Sequence, residues 1–216
     1  QLIWKKKINE TILSDIEQID LFKNRKFQFV FNTSQQVWII DRNGKTVDPF
    51  PIRFKKPANA AIKIVDYEKS REYRFFIPCC NSFVLYDKKG KEVKDWNPKI
   101  TGSKILSQIE HFNIKKQDYL VYADSQQVNF LDRRGKSRLK PCKGNIPGTN
   151  FKVFYSNEKS NEHFIYTDKN GTIRFLYLNG KCDSLNLGQF SDKHHFMHAN
   201  WDGKAGKEYI FIDNDN

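Results

Sequence analysis

Methionine appears once in the 216 residues, cysteine four times, and no run approaches the roughly 18 apolar residues of a membrane-spanning helix. No transmembrane segment is therefore expected in the chain. The first residues, QLIWKKKINE, lack the apolar core of a signal peptide, and because they open on Gln a mature product or a piece of a longer chain is expected. Cys79, Cys80, Cys142 and Cys182 are too few and too irregularly spaced for a disulfide framework or for paired CxxC zinc knuckles. Reduced structural cysteines are the resulting expectation. The chain also lacks a GxSxG elbow, a P-loop, an HExxH helix and a Gly-rich dinucleotide turn, which argues against an enzyme and against any expected cofactor.

What is abundant points to sheet. Aromatic residues make up 14% of the chain, with 18 Phe, 9 Tyr and 4 Trp, side chains that suit pleated, half-buried surfaces. The formal charge of +12 makes an anionic partner a standing alternative. The lysines are nevertheless spread through every segment, the pattern of a solvated surface.

A repeat of about 45 residues organises the sequence. The motif DRNGK (Asp41 to Lys45) returns as DKKGK (Asp87 to Lys91), DRRGK (Asp132 to Lys136) and YLNGK (Tyr177 to Lys181), placing Gly44, Gly90, Gly135 and Gly180 at intervals of 46, 45 and 45. A second marker, a charged residue before a ring, falls at Lys26-Phe27, Glu72-Tyr73, Asp118-Tyr119, Glu162-His163 and Glu208-Tyr209, at intervals of 46, 46, 44 and 46. Each period divides into four short β-rich runs bounded by Asp, Asn and Gly; in the first these are IEQID, KFQFVFN, QVWIID and TVDPFPIRF. Pro49, Pro51, Pro98 and Pro141 cannot donate ladder hydrogen bonds, so the fourth run belongs at a sheet edge. In DRNGK the Asp at the start can bond the turn backbone and Gly44 at the fourth place can take positive φ, the requirement of a type I turn with a G1 bulge between the third and fourth strands.

Four antiparallel strands in such a period describe a β-propeller blade, with a β-sandwich as the alternative. The fold expected is all-β, with four complete blades (16–54, 62–96, 105–141 and 150–187) and partial strands at 2–8 and 195–213 in one repeat domain. Leu2 to Ile8 reads as the fourth strand of an incomplete blade. The expected arrangement is an arc of a larger ring, and the alternative joins this segment to the C-terminal strands in a composite fifth blade.

Segments such as IDLFKNRKFQFVFNTSQQVWIIDRNGKTV and VDYEKSREYRFFIPCCNSFVLYDKKGKEV resemble the repeats of an uncharacterised family of bacterial propeller-like proteins, a domain of unknown function found in long envelope-associated chains. The resemblance spans essentially the whole chain. It implies an extracytoplasmic or cell-envelope setting and brings no established activity. A broader similarity is to FG-GAP and VCBS propeller repeats, whose acidic loop can hold Ca²⁺. In NWDGKAGKE, Asn200, Asp202 and Glu208 match that loop, but Lys204 stands where a third ligand carboxylate belongs, so calcium is not expected there.

Other candidate chemistry is sparse. On an extended strand His194 and His198 share a face and His195 lies opposite, and two histidines without a third ligand do not make a zinc site. Cys142 and Cys182 fall on successive outer strands, which are expected to diverge and leave the two thiols unbridged. Asp66 and Glu68 could serve as paired carboxylates of a glycan-cleaving enzyme, yet they belong to a surface turn. Trp38, Trp96 and Trp201 are candidates for a binding surface, with burial between blades as the alternative for each. The function expected is a non-catalytic binding or assembly scaffold of a larger bacterial protein, acting on a protein partner or on the remaining domains of the full-length chain. A salt-sensitive binder of anionic polymer, acidic glycan or nucleic acid, is the alternative.

Overall fold

The computed structural model of the protein describes residues 2–98, 102–157, 161–204 and 206–213. Among them are seventeen strands in five antiparallel sheets, and no helix long and apolar enough to cross a membrane. The chain divides into two compact units, Gln1–Thr101 and Gly102–Asn216.

In the first unit β1 (Glu17–Ile19), β2 (Gln28–Asn32), β3 (Gln36–Asp41) and β4 (Ile52–Arg53) pair in sequence order. β5 (Lys63–Val65), β6 (Arg74–Cys79) and β7 (Ser82–Asp87) form the next sheet. The second unit holds the four-stranded meanders β8 (Glu110–Ile114), β9 (Gln117–Ala123), β10 (Val128–Leu131), β11 (Ser137–Leu139) and β12 (Val153–Ser156), β13 (His163–Thr167), β14 (Ile173–Tyr177), β15 (Cys182–Leu185). The hairpin β16 (His195–Ala199) and β17 (Glu208–Ile212) follows.

The second strands are apolar almost without interruption because both of their faces are covered. Phe75, Phe76 and Ile77 of β6, and Leu120 and Val121 of β9, are fully buried. A strand covered on one side only would alternate. Ile19, Val30, Val37 and Ile39 of the first sheet share a core with Phe75, Ile77 and Tyr86 of the second. Val121 and Phe130 share one with Val153, Phe164 and Tyr166, and Ile165 and Ile173 share one with Phe196. Successive sheets thus stack face to face within each unit, each large buried side chain contributing about 1.5–3 kcal/mol. At the opposite extreme, all of β15 is exposed, as befits an outermost strand.

The GK turns have the expected form. Asp41 Oδ1 accepts the amides of Asn43 and Lys45 at 2.9 and 2.8 Å, and Gly44 sits at φ +80° with its amide 3.0 Å from the Asp41 carbonyl. Asp87 and Asp132 repeat both side-chain bonds. In the fourth turn Tyr177 stands in the place of that Asp, and the side-chain oxygen of Asn179 accepts the Lys181 amide instead.

Two expectations about edges fail. Leu2 to Ile8 forms no strand. Its side chains reach the first GK turn instead: Trp4 Nε1 donates to the Arg42 carbonyl at 2.8 Å, and Lys6 Nζ to Thr46 Oγ1 at 2.8 Å. Glu92 to Trp96 is also not a strand beyond a single bridge, Tyr86 to Glu92. Trp96 turns inward there, donating from Nε1 to the Phe83 carbonyl at 3.1 Å and meeting Phe76 edge-on at 5.1 Å.

Candidate functional site

A cleft of about 480 Å³ opens in the second unit where three consecutive sheets begin. Leu106 to Glu110 lead into β8, Thr149 to Phe154 into β12, and His195 starts β16, so the walls are equivalent stretches of three repeats. Phe151 and Phe154 give it apolar surface; Gln108, Asn150 and Lys152 give it donors, and Glu110 is the single carboxylate in its lining. Asn150 Nδ2 lies 3.2 Å from His195 Nε2, which fixes the ring nitrogen as the acceptor.

A second concavity lies at the other end of β8. In a meander the first-to-second and third-to-fourth turns fall at the same end of the sheet, which brings the Lys115-Lys116 turn beside the Asp132 to Lys136 turn. The groove between them is about 300 Å³ and is lined by Lys116, Gln117, Asp118, Asp132 and the basic residues of 133–138. Asp118 is buried and accepts from His111 Nε2 at 2.7 Å, from Asn113 Nδ2 at 2.9 Å and from Arg133 Nε. Burial alone would raise its carboxyl, but the bonds from Asn113, His111 and Arg133 outweigh that and hold it below the ordinary range. Arg138 lies over the Tyr119 ring at 5.3 Å, with its Nε buried and without a hydrogen-bond partner among the described residues.

At the corresponding end of the first unit several cations are paired with carboxylates. Buried Asp20 accepts the amides of Asn24 and Arg25, both at 3.0 Å, and pairs with Arg71 at 3.0 Å. Lys23 and Lys88 each stand 2.7 Å from Glu72 Oε1, and their hydrogen bonds hold that carboxyl down at about 2. Asp66 is occupied by the amides of Ser70 and Arg71, so its carboxylate serves its own loop, and no pairing with Glu68 for acid–base work follows from the geometry.

The remaining sequence candidates disperse. Trp96 is core, only 8% exposed. Trp38 is partly covered, stacked parallel to Phe31 at 6.2 Å with Lys6 over its ring at 5.7 Å, whereas Trp201 is 77% exposed. His194 and His198 do share the buried face and His195 the exposed one. His194 has both nitrogens engaged, Nδ1 with the Ser191 carbonyl at 2.6 Å and Nε2 with Thr167 Oγ1 at 2.8 Å, leaving none for a metal. His198 stacks on Tyr209 at 5.1 Å. In the Asn200 loop, Lys204 Nζ lies 3.0 Å from Asp202 and Glu208 accepts the Trp201 amide at 2.6 Å, so loop groups occupy the oxygens that calcium would need. Among the described residues no cluster of three or more His, Cys, Asp or Glu is placed to hold a metal.

Cys142 and Cys182 correct the expectation of unbridged thiols: they form a disulfide with Cα atoms 6.0 Å apart. The chain leaves β11 after Leu139 and turns inward, burying Cys142 in the core shared by the third and fourth sheets, while Cys182 opens β15. Cys79 and Cys80 stay free, the first buried and raised to about 11 chiefly by desolvation, the second exposed. Sequence reasoning also missed the basic groove. Its available signal was the crowding of Lys115, Lys116, Arg133, Arg134, Lys136 and Arg138 into one repeat at positions that a meander brings to one end.

No protein-family model and no curated protein sequence matches the chain. Solved structures do. The chain is similar to BBS1N, crystallised in complex with ARL6DN, at TM-score 0.59 and 12% identity, over 84% of this chain and 58% of that one. It is similar to the biofilm matrix protein Bap1 of V. cholerae at TM-score 0.62 and 14% identity, over 96% of this chain and 37% of that one. The chain spans less than two thirds of the length of each. The fold is an all-β propeller.

Proposed function

We propose that the chain is a non-catalytic binding and assembly module of a larger, extracytoplasmic bacterial protein, with the cleft at the start of β8, β12 and β16 as its protein-binding face. The observation that carries this reading is the composition of that cleft. Three equivalent stretches at the starts of sheet strands present two phenyl rings, several neutral polar groups, one cation and one carboxylate. Such a surface suits an extended peptide segment, and a lone carboxylate does not supply the pair that glycoside hydrolysis uses. The complex of BBS1N with ARL6DN is in keeping with a propeller that engages a protein. The Cys142–Cys182 disulfide supports an oxidising compartment outside the cytosol.

Panning a displayed library of short peptides against the intact chain tests the reading. Enriched peptides are expected to keep their affinity as salt rises and to lose about tenfold against Lys152→Trp, which fills the cleft mouth. Enrichment indifferent to that substitution would count against the cleft. Alkylation of the protein in its native cells, followed by mass spectrometry, tests the compartment: Cys142 and Cys182 should resist labelling until reduced.

A further inference from the structure

The groove at the far end of β8 carries chemistry that a peptide-binding cleft does not explain. It gathers Lys116, Arg133, Arg134, Lys136 and Arg138 around about 300 Å³. Its two carboxylates are already spent, Asp118 on Arg133, His111 and Asn113, and Asp132 Oδ1 on the amides of Arg134 and Lys136. Among the described residues no carboxylate pairs with Lys116, Arg134, Lys136 or Arg138. The described lining therefore carries five cations against the two carboxylates, and Lys116, Arg134, Lys136 and Arg138 have no carboxylate in contact, unlike the paired lysines at the same end of the first unit.

One further feature points to a ligand. The buried Arg138 Nε has no hydrogen-bond partner among the described residues, although its guanidinium lies over the Tyr119 ring and donates from Nη1 to Gln117 Oε1 at 3.4 Å. A donor left in that state costs stability unless something accepts from it. Lys115 and Lys116 occupy a two-residue hairpin turn at φ 50° and 63°, positions where Asn-Gly would be the comfortable choice. Lys23, Arg25, Lys69 and Arg71 take the same conformation in the corresponding turns of the first unit, so the strain belongs to the repeat and the groove is distinguished by its charge.

We propose that this groove binds the sulfate or carboxylate groups of an acidic glycan. Guanidinium and ammonium donors converging on a pocket of sugar-ring size suit closely spaced oxyanions. The lining contains no aromatic ring on which an unpaired base could stack, which favours a glycan over single-stranded nucleic acid. The site lies at the opposite end of β8 from the peptide cleft, so it goes beyond the scaffold reading and fails or survives independently of it.

The test is calorimetric titration of the intact chain with a size-defined heparin tetrasaccharide at low and high NaCl. Saturable binding that weakens about tenfold or more with added salt is expected. Arg134→Ala/Lys136→Ala should lower affinity about tenfold, and Lys116→Gly, from the opposite wall, should lower it severalfold. The control is Arg42→Ala/Lys45→Ala, which removes the same formal charge from the equivalent turn of the first repeat and should change affinity less than about twofold. Equal losses in the two double variants would assign binding to the overall charge and overturn the proposal, as would no saturable binding. A single-stranded oligonucleotide that binds more tightly than the tetrasaccharide with the same dependence on Arg134 and Lys136 would overturn the glycan assignment. Circular dichroism of each variant separates lost contacts from lost fold.

Discussion

The first and third repeats share a turn and differ in what surrounds it. Asp41 and Asp132 each bond two amides of their own turn, and Gly44 and Gly135 take the same backbone conformation, at φ +80° and +82°. Over the first lies a cover: Trp4 and Lys6 bond its backbone or its neighbour, and the indole packs on Gly44. Beside the second lies an open basic groove, next to an outer strand whose trailing Cys142 is tied to β15. Repetition therefore conserves the hairpin chemistry, while whatever approaches the turn decides whether it is structure or binding surface.

The largest expected effect comes from untying the third repeat. Cys142→Ser/Cys182→Ser closes no loop over the sequence separation of 40 and should cost about 3–4 kcal/mol in urea unfolding. Replacing the free pair Cys79 and Cys80 by Ala and Ser has no such term and should cost less than half as much. Equal losses would erase the asymmetry.

Next in size is Asp118→Asn, expected to cost about 2 kcal/mol, at the low end for a buried pair because Arg133 is partly solvated. The carboxyl is depressed in the folded chain, so its stabilisation is fully present above the unfolded value near 4 and is lost as pH falls through the folded value. Wild-type stability should therefore decline more steeply than that of the Asn variant below about pH 4.

Glycine substitutions sharpen the contrast between covered and open turns. Gly180→Ala, at φ +85° with nothing within 4 Å of the added carbon, should cost about 1 kcal/mol for the backbone alone. Gly44→Ala places that carbon 2.9 Å from Trp4 Cδ2 and should cost roughly another kcal/mol unless Trp4 is also removed. The smallest effect runs the other way: Lys116→Gly relieves a left-handed lysine and should raise stability by about 0.5 kcal/mol, even as it weakens glycan binding.

Much of this was legible in the sequence because it is periodic. The GK turns fix where the third strands end, and QVWIID and SFVLYD emerge as β3 and β7 at their expected limits. The groove and the disulfide were not legible as such. Both depend on where chain segments come to rest beside a repeat: the inward bend that buries Cys142, and two turns meeting at one sheet end. Leu2 to Ile8 misled for a related reason, since a short run of apolar residues followed by lysines read as an edge strand while Trp4 and Lys6 satisfy a neighbouring turn through their side chains. Among the tryptophans, the residue type alone did not separate the inward-turned Trp96 from the exposed Trp201.

Amide chemical shifts recorded as the heparin tetrasaccharide is titrated into the isotopically labelled chain compare the two turns in one sample. The account predicts saturating shifts at Lys116, Gln117 and Arg134 to Arg138, with Asn43 to Lys45 unmoved. Shifts of similar size at both turns, or spread evenly over the basic surface, would contradict it.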